Sequence, residues 1–144
     1  MEIKNYIKSP KKFNIEELLN FLAKYLNISD GVQLTLTYNN SLLNRLSTKD
    51  LEFVAILCNP VPKQYVLYVR EGCGSQYTLC HEMIHLHQYE RGDLKISSDY
   101  KTVIWKGETF DITTSYEDRE WEKEAFSGQG ELWRKFKKYK RKQK

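Results

Sequence analysis

All three histidines of the 144-residue chain fall between positions 81 and 87. They lie in residues 76 to 90, a stretch without Gly or Pro that follows Glu71-Gly72-Cys73-Gly74-Ser75 and ends just before Gly92. Freedom at the front and a glycine just past the end are helix start and stop signals. On that helix His81, Glu82 and His85 stand among Leu79, Met83, Ile84 and Leu86. A purely structural, partly buried helix with satisfied histidines explains three polar groups among these apolar ones poorly. A zinc site carried by the helix explains them better.

The spacing says what that centre can hold. Positions i and i+4 differ by about 40° around a helix, so the imidazoles of His81 and His85 can meet one ion above one face. A zinc ion held by the two histidines and one further protein ligand keeps a position for water and lowers the water's pKa from about 15.7 to about 7. Glu82, next to the first histidine, is then placed as general base, taking the water's proton and passing it to a leaving amine. His87 lies about 200° around from His85 and cannot join the same ligand set.

No histidine follows His87, which excludes a three-histidine site and implies two His and one carboxylate. Residues 119 to 126, Arg119-Glu120-Trp121-Glu122-Lys123-Glu124-Ala125-Phe126, supply three candidates on one expected helix. Glu124 is the first choice, because Ala125 beside it lets two helices approach and Trp121, three residues earlier, can anchor the same face. Glu122 is the second choice and Glu120 the third.

Around this centre the pattern predicts an α+β domain, an antiparallel three-stranded sheet plus a hairpin packed against the motif helix and flanking helices. Ile15, Leu18, Leu19, Leu22 and Leu26 recur at helical spacing behind the capping box of Asn14 and Glu17, with Phe13 and Leu18 as hydrophobic staple. Residues 32 to 38 alternate strictly, as a half-buried strand does. Residues 53 to 58 and 65 to 70 are two further β-prone runs, joined by a proline-bearing connection, and the three read as a meander. Residues 39 to 50 read as a polar loop with one helical turn at 42 to 46. Residues 102 to 105 and 109 to 112 flank a glycine turn as a hairpin, and a helix over 117 to 126 ends where Ser127-Gly128-Gln129-Gly130 interrupts it.

One domain fits the length, with 40% apolar and 13% aromatic residues to fill its core. The domain is expected over residues 1 to 130 and a basic tail over 131 to 144, since eight of the last eleven residues are Lys or Arg. Such a block attracts polyanions, which makes weak, non-specific nucleic-acid contact one reading and a solvated terminus the other. Phe136 and Tyr139 interleave with the lysines at helical spacing, so a helix docked by its aromatic edge is a third. Three cysteines without zinc-ribbon spacing and no apolar run of membrane-spanning length point to a cytoplasmic protein with no disulfide framework and no membrane partner.

The residues Leu79 to Gln88, then Gly92-Asp93-Leu94, then Arg119-x-Trp121-Glu122-x-Glu124-Ala125-Phe126, resemble small phage- or prophage-borne metallopeptidases of the minimal gluzincin group. The resemblance covers residues 65 to 130, and the architecture is similar to ImmA/IrrE-type and SprT-like peptidase domains. It implies a zincin-like fold, Zn²⁺ as cofactor, and a third ligand from a Glu followed by a small residue on the next helix, a position that Glu124 matches best. The expected function is a zinc-dependent metallopeptidase acting on a protein or peptide. A non-catalytic zinc-stabilised binding module is the alternative, one for which Glu82 has no use, and hydrolysis of a non-peptide amide would employ the same residues.

Overall fold

The computed structural model describes residues 1–48, 52–115 and 118–143. Along the chain run β1 (Glu2–Asn5), α1 (Ile15–Tyr25), β2 (Gln33–Tyr38), α2 (Asn40–Leu46), β3 (Ala55–Val61), β4 (Gln64–Val69), α3 (Gln76–Glu90), β5 (Leu94–Ile96), β6 (Thr102–Trp105), β7 (Glu108–Asp111) and α4 (Glu120–Lys142). Among the described residues this is an α+β fold of four helices, a four-stranded mixed sheet and a three-stranded antiparallel sheet. Among the described residues no helix is long and apolar enough to cross a membrane, and Cys58, Cys73 and Cys80 are free thiols.

The larger sheet has the order β1-β2-β4-β3. β1 and β2 run parallel, as do β2 and β4, and only β3 and β4 are antiparallel. The expected antiparallel meander is therefore replaced by a mixed sheet with a strand, β1, that the charged N-terminus did not announce. Alternation along a strand specifies which face is buried and says nothing of the direction of the neighbour. Parallel neighbours need a crossover, which α1 provides between β1 and β2, and α2 with β3 between β2 and β4. Pro60 is accommodated within β3 because β3 is an edge strand, with an irregular register between Cys58 and Val61.

Leu34, Leu36, Leu57, Tyr65, Leu67 and Val69 turn one face of this sheet into the main core, which they share with α1, α3 and the rear half of α4. Leu42, Leu43 and Ile56 form a smaller cluster on the other face, under α2. Asn14 caps α1 by accepting from the Glu17 amide at 2.9 Å. The Glu17 side chain does not close the capping box but pairs with Lys140 at the far end of the chain, at 2.9 Å. Phe13 packs edge-on against Trp133 at 5.5 Å between ring centroids.

The second sheet is built as expected from a tight hairpin. Lys106 and Gly107 both adopt positive φ, 49° and 83°, the geometry of a two-residue turn matched to strand twist. Its Leu94, Val103 and Trp105 form a separate small core with Trp121 at the front of α4.

α4 departs most from expectation. It runs unbroken through Ser127-Gly128-Gln129-Gly130, so the position where a basic tail was expected to begin lies inside a helix. Leu132, Trp133 and Phe136 are in the main core, which makes the docked-helix reading of the aromatic residues the observed one. The glycines are read differently in this setting. A Cβ on Gly128 would stand 2.9 Å from Ile84 Cδ1, so this glycine, with the fully buried Ala125, brings α4 onto α3.

Candidate metal centre

α3 begins at Ser75, whose hydroxyl accepts from the Thr78 amide at 3.2 Å, and closes at Arg91 and Gly92, the latter with φ 83°. From Leu79 to Leu86 every residue is buried. The helix is thus a central one, sheathed by the sheet and by α4, and His81, Glu82 and His85 are buried with it.

Three side chains converge. His81 Nε2 and His85 Nε2 lie 3.1 Å apart, and Glu122 Oε1 lies 3.3 Å from the first and 2.5 Å from the second. Among the described residues this is a group able to hold a metal ion, its donor atoms all within 4.8 Å of one another. The carboxylate is Glu122, not the first choice Glu124. With Glu122 turned to the histidines, Glu124 two residues on points about 200° away around α4. There it binds Arg91 Nη2 at 2.7 Å and accepts from Gln88 Nε2 at 3.1 Å. Glu120, the third choice, is a surface partner of Lys123 at 3.1 Å. The smallness of Ala125 does matter for helix approach, as argued from sequence, but it does not decide which neighbouring carboxylate faces the histidines.

The far nitrogens of the two imidazoles fix their protonation. Gln88 is fully buried, and its Nε2 is committed to Trp121 O at 3.0 Å as well as to Glu124. Its Oε1, 2.7 Å from His85 Nδ1, must therefore accept, placing a proton on Nδ1. Gln129 Oε1 stands 2.9 Å from His81 Nδ1 and does the same for the other ring. Both Nε2 atoms then face a common point beside a carboxylate oxygen, where either a proton or a metal ion would satisfy them. Outer partners that fix the tautomer of a ligating histidine in this way are characteristic of metal sites, so the donor set fits zinc.

A proton answers part of the same demand. Burial alone would depress His85, but the hydrogen bond and charge of Glu122, with the charge of Glu82 and the bond from Gln88, push it up to about 9. Glu122, which burial would raise, is held well below the usual carboxylate range by hydrogen bonds to His81 and His85 and by their charge. Glu82 goes the other way, pushed up by complete burial against the opposing charges of His85 and His81, with Glu122 adding to the rise. A metal ion held here would compete with protons for one set of atoms.

Glu82 is a buried carboxylate outside the ligand group that borders the two hollows meeting at the site. One is an open cleft of about 330 Å³ that also takes in His81 and Glu122, lined besides by Val54, Ala55 at the start of β3, Tyr77 and Phe126. Phe126, half exposed, lays its ring against His81 at 4.5 Å. The other is a smaller, half-open hollow with a mostly apolar lining drawn from α3, β3 and the second sheet. His87, as its angle on the helix required, is outside the site, half-buried, its pKa lowered by burial and by Arg91.

Sequence reasoning missed Gln88, Gln129 and Arg119. Gln88 was within reach, three residues after His85 and so on the same face. Gln129 was hidden in a stretch that reads as a break. Arg119, at the start of α4, borders both hollows. Compared with known proteins, the chain matches no family model, no curated protein and no solved structure.

Proposed function

We propose that the protein is a zinc-dependent metallopeptidase in which His81, His85 and Glu122 hold the metal and Glu82 is the general base. The observation that carries this reading is the convergence of two imidazoles and a carboxylate, the imidazole tautomers set from behind, with a second, unligating carboxylate opening on a cleft. When bound, zinc supplies the Lewis acidity that acidifies a water and polarises a carbonyl. Glu82, with its raised proton affinity, takes the water's proton and delivers it to the departing amine. Three protein ligands leave one position for chemistry, whereas a structural zinc would be closed by a fourth.

A peptide is favoured as substrate by what walls the cleft. β3 is an edge strand of the sheet, and its first residue, Ala55, with Val54 just before it, borders the cleft beside Glu82. Val54 O accepts from the Arg70 amide at 2.8 Å, so the pleat turns the backbone groups of Ala55 to the outer edge. An extended chain can pair there. A zincin-like fold of the gluzincin type, expected from the motif, is part of this proposal. The exposed Lys135, Lys137, Lys138, Arg141 and Lys142 of α4 remain as a surface for weak polyanion contact in the cytoplasm.

The test separates base from ligand. Glu82→Gln is expected to keep stoichiometric zinc by elemental analysis while peptide hydrolysis falls by about 10²-fold or more. Glu122→Gln is expected to lose zinc, since a neutral amide is a poorer ligand. A wild-type protein that takes up no zinc, or a Glu82→Gln variant that loses it, overturns the assignment.

A further inference from the structure

The half-open apolar hollow beside the site is the feature the proposed chemistry does not use. Its volume is about 80 Å³. At roughly 10–15 Å³ per water-sized group, that is room for about five to eight such groups, the size of one side chain and well below a cofactor pocket. Its floor is apolar: Leu57 of β3 meets Leu94 and Ile96 of β5, Val103 of β6, and Ile112 just beyond β7. Glu82, Glu122 and Arg119 line both this cavity and the open cleft, and His85 belongs to the metal group. Phe53 and Ala55 line both as well, so the mouth carries all the charged groups beside two apolar ones, while the lining away from the cleft is apolar apart from His85, Tyr89 and Trp121. A half-open apolar hollow beside a reaction centre is a receptacle for a side chain.

We propose that this cavity receives a single apolar side chain of the substrate, of leucine, methionine or phenylalanine size, belonging to a residue next to the bond presented to Glu82. The proposal rests on the peptidase reading for its substrate, and it makes the second sheet the part of the molecule that sets specificity. Burying an aliphatic or aromatic side chain there releases apolar surface from water on both partners, while a lysine or aspartate would carry a charge onto a floor with no partner for it. A glycine leaves the cavity unfilled. Tryptophan exceeds its size.

The test uses N-acetyl amino-acid amides as probes, with methyl NMR of the full chain, both metal-free and with zinc added. The leucine and phenylalanine amides are expected to shift the methyl signals of Val103 and Ile112 at least 10-fold more tightly than the glycine and lysine amides. Ile112→Trp and Ile96→Phe, at two half-buried wall positions that tolerate bulk, are each expected to abolish the preference. Equal binding of all amides, or a preference that survives in both variants while they stay folded, overturns the proposal. Cleavage of a peptide library by the zinc-loaded protein then separates the two readings. Amide selectivity without cleavage keeps the cavity assignment and sinks the peptidase. Cleavage indifferent to leucine or phenylalanine beside the bond keeps the peptidase and sinks the cavity assignment.

Discussion

At its front, α4 turns Trp121 into the small core of the second sheet and Glu122 to the two histidines. At its rear, the same helix turns Trp133 and Phe136 into the main core, where they meet Phe13 and Phe21 of the N-terminal region. The front half thus presents a polar face to a reaction centre and the rear half an aromatic face to the core. Gly128 and Gln129, between them, provide the close approach to α3 and the hydrogen bond to His81. One helix carries both duties, each through its own contacts: the rear in the main core, the front against α3 and the second sheet. If so, damage at the rear should appear in stability and damage at the front in metal affinity.

The largest stability effect is expected from the rear. Phe136 and Trp133 are 3% and 7% exposed, and replacing either by alanine is expected to cost about 3–5 kcal/mol. Urea unfolding would measure it. Zinc per folded molecule should be unchanged under native conditions, and its loss from a folded Phe136→Ala protein would break the division between the halves. Removing residues 131 to 144 should prevent stable folding, because it deletes this anchor along with the lysines.

The joint between the halves should show both effects. Gly128→Leu forces a side chain into the space held by Ile84 and is expected to cost about 1–3 kcal/mol, with weaker zinc binding as α4 lifts Glu122 from α3. Gly130 is the control, since a Cβ there meets nothing nearer than Arg134 Nη1 at 4.0 Å. Gly130→Ala should stabilise by up to about 1 kcal/mol through helix propensity alone. Equal behaviour of the two glycines in thermal melts would show that close helix approach is not what Gly128 provides.

Gln88→Leu and Gln129→Leu sharpen the front half. Each removes the acceptor that fixes a histidine tautomer, and each is expected to lower zinc affinity by about 10–100-fold in competition with a chelator. Gln88 should matter more, because its amide is held by two acceptors while Gln129 shows one bond. Wild-type zinc affinity in both would remove the structural ground for assigning the tautomers.

These residues also mark where the sequence was legible. The helix spacing of His81, Glu82 and His85 is a local property, and the structure brings the three to one place. The helix of residues 15 to 25 and the hairpin at Lys106-Gly107 are local in the same sense. Strand direction was not legible, because the alternating pattern of residues 32 to 38 suits a parallel and an antiparallel neighbour equally. Nor was the continuity of α4, since glycine is a poor helix former in isolation and only contact with Ile84 makes Gly128 useful in a helix. The choice among Glu120, Glu122 and Glu124 depended on the rotation of α4, which is set by Trp121, Trp133 and Phe136 docking in two different cores.

The smallest effect is expected at Glu124, and it decides the most about the ligand set. The carboxylate is 41% exposed and pairs with Arg91, itself 30% exposed, so solvent screens the pair and its loss should cost under about 1 kcal/mol. Glu124 also accepts from Gln88 Nε2. Glutamine in its place still offers a carbonyl oxygen, so Gln88 keeps its orientation, His85 its tautomer and the site its zinc. Glu124→Leu removes that acceptor as well, leaving Trp121 O as the remaining restraint on Gln88, and a modest loss of affinity should follow. The measurement is zinc occupancy in Glu124→Gln, Glu124→Leu and Glu122→Gln at one pH, with denaturation run alongside. If Glu124→Gln lost zinc while Glu122→Gln held it, α4 would have to be turned by about 200° relative to this structure, and Trp121 could not then keep its place in the second core.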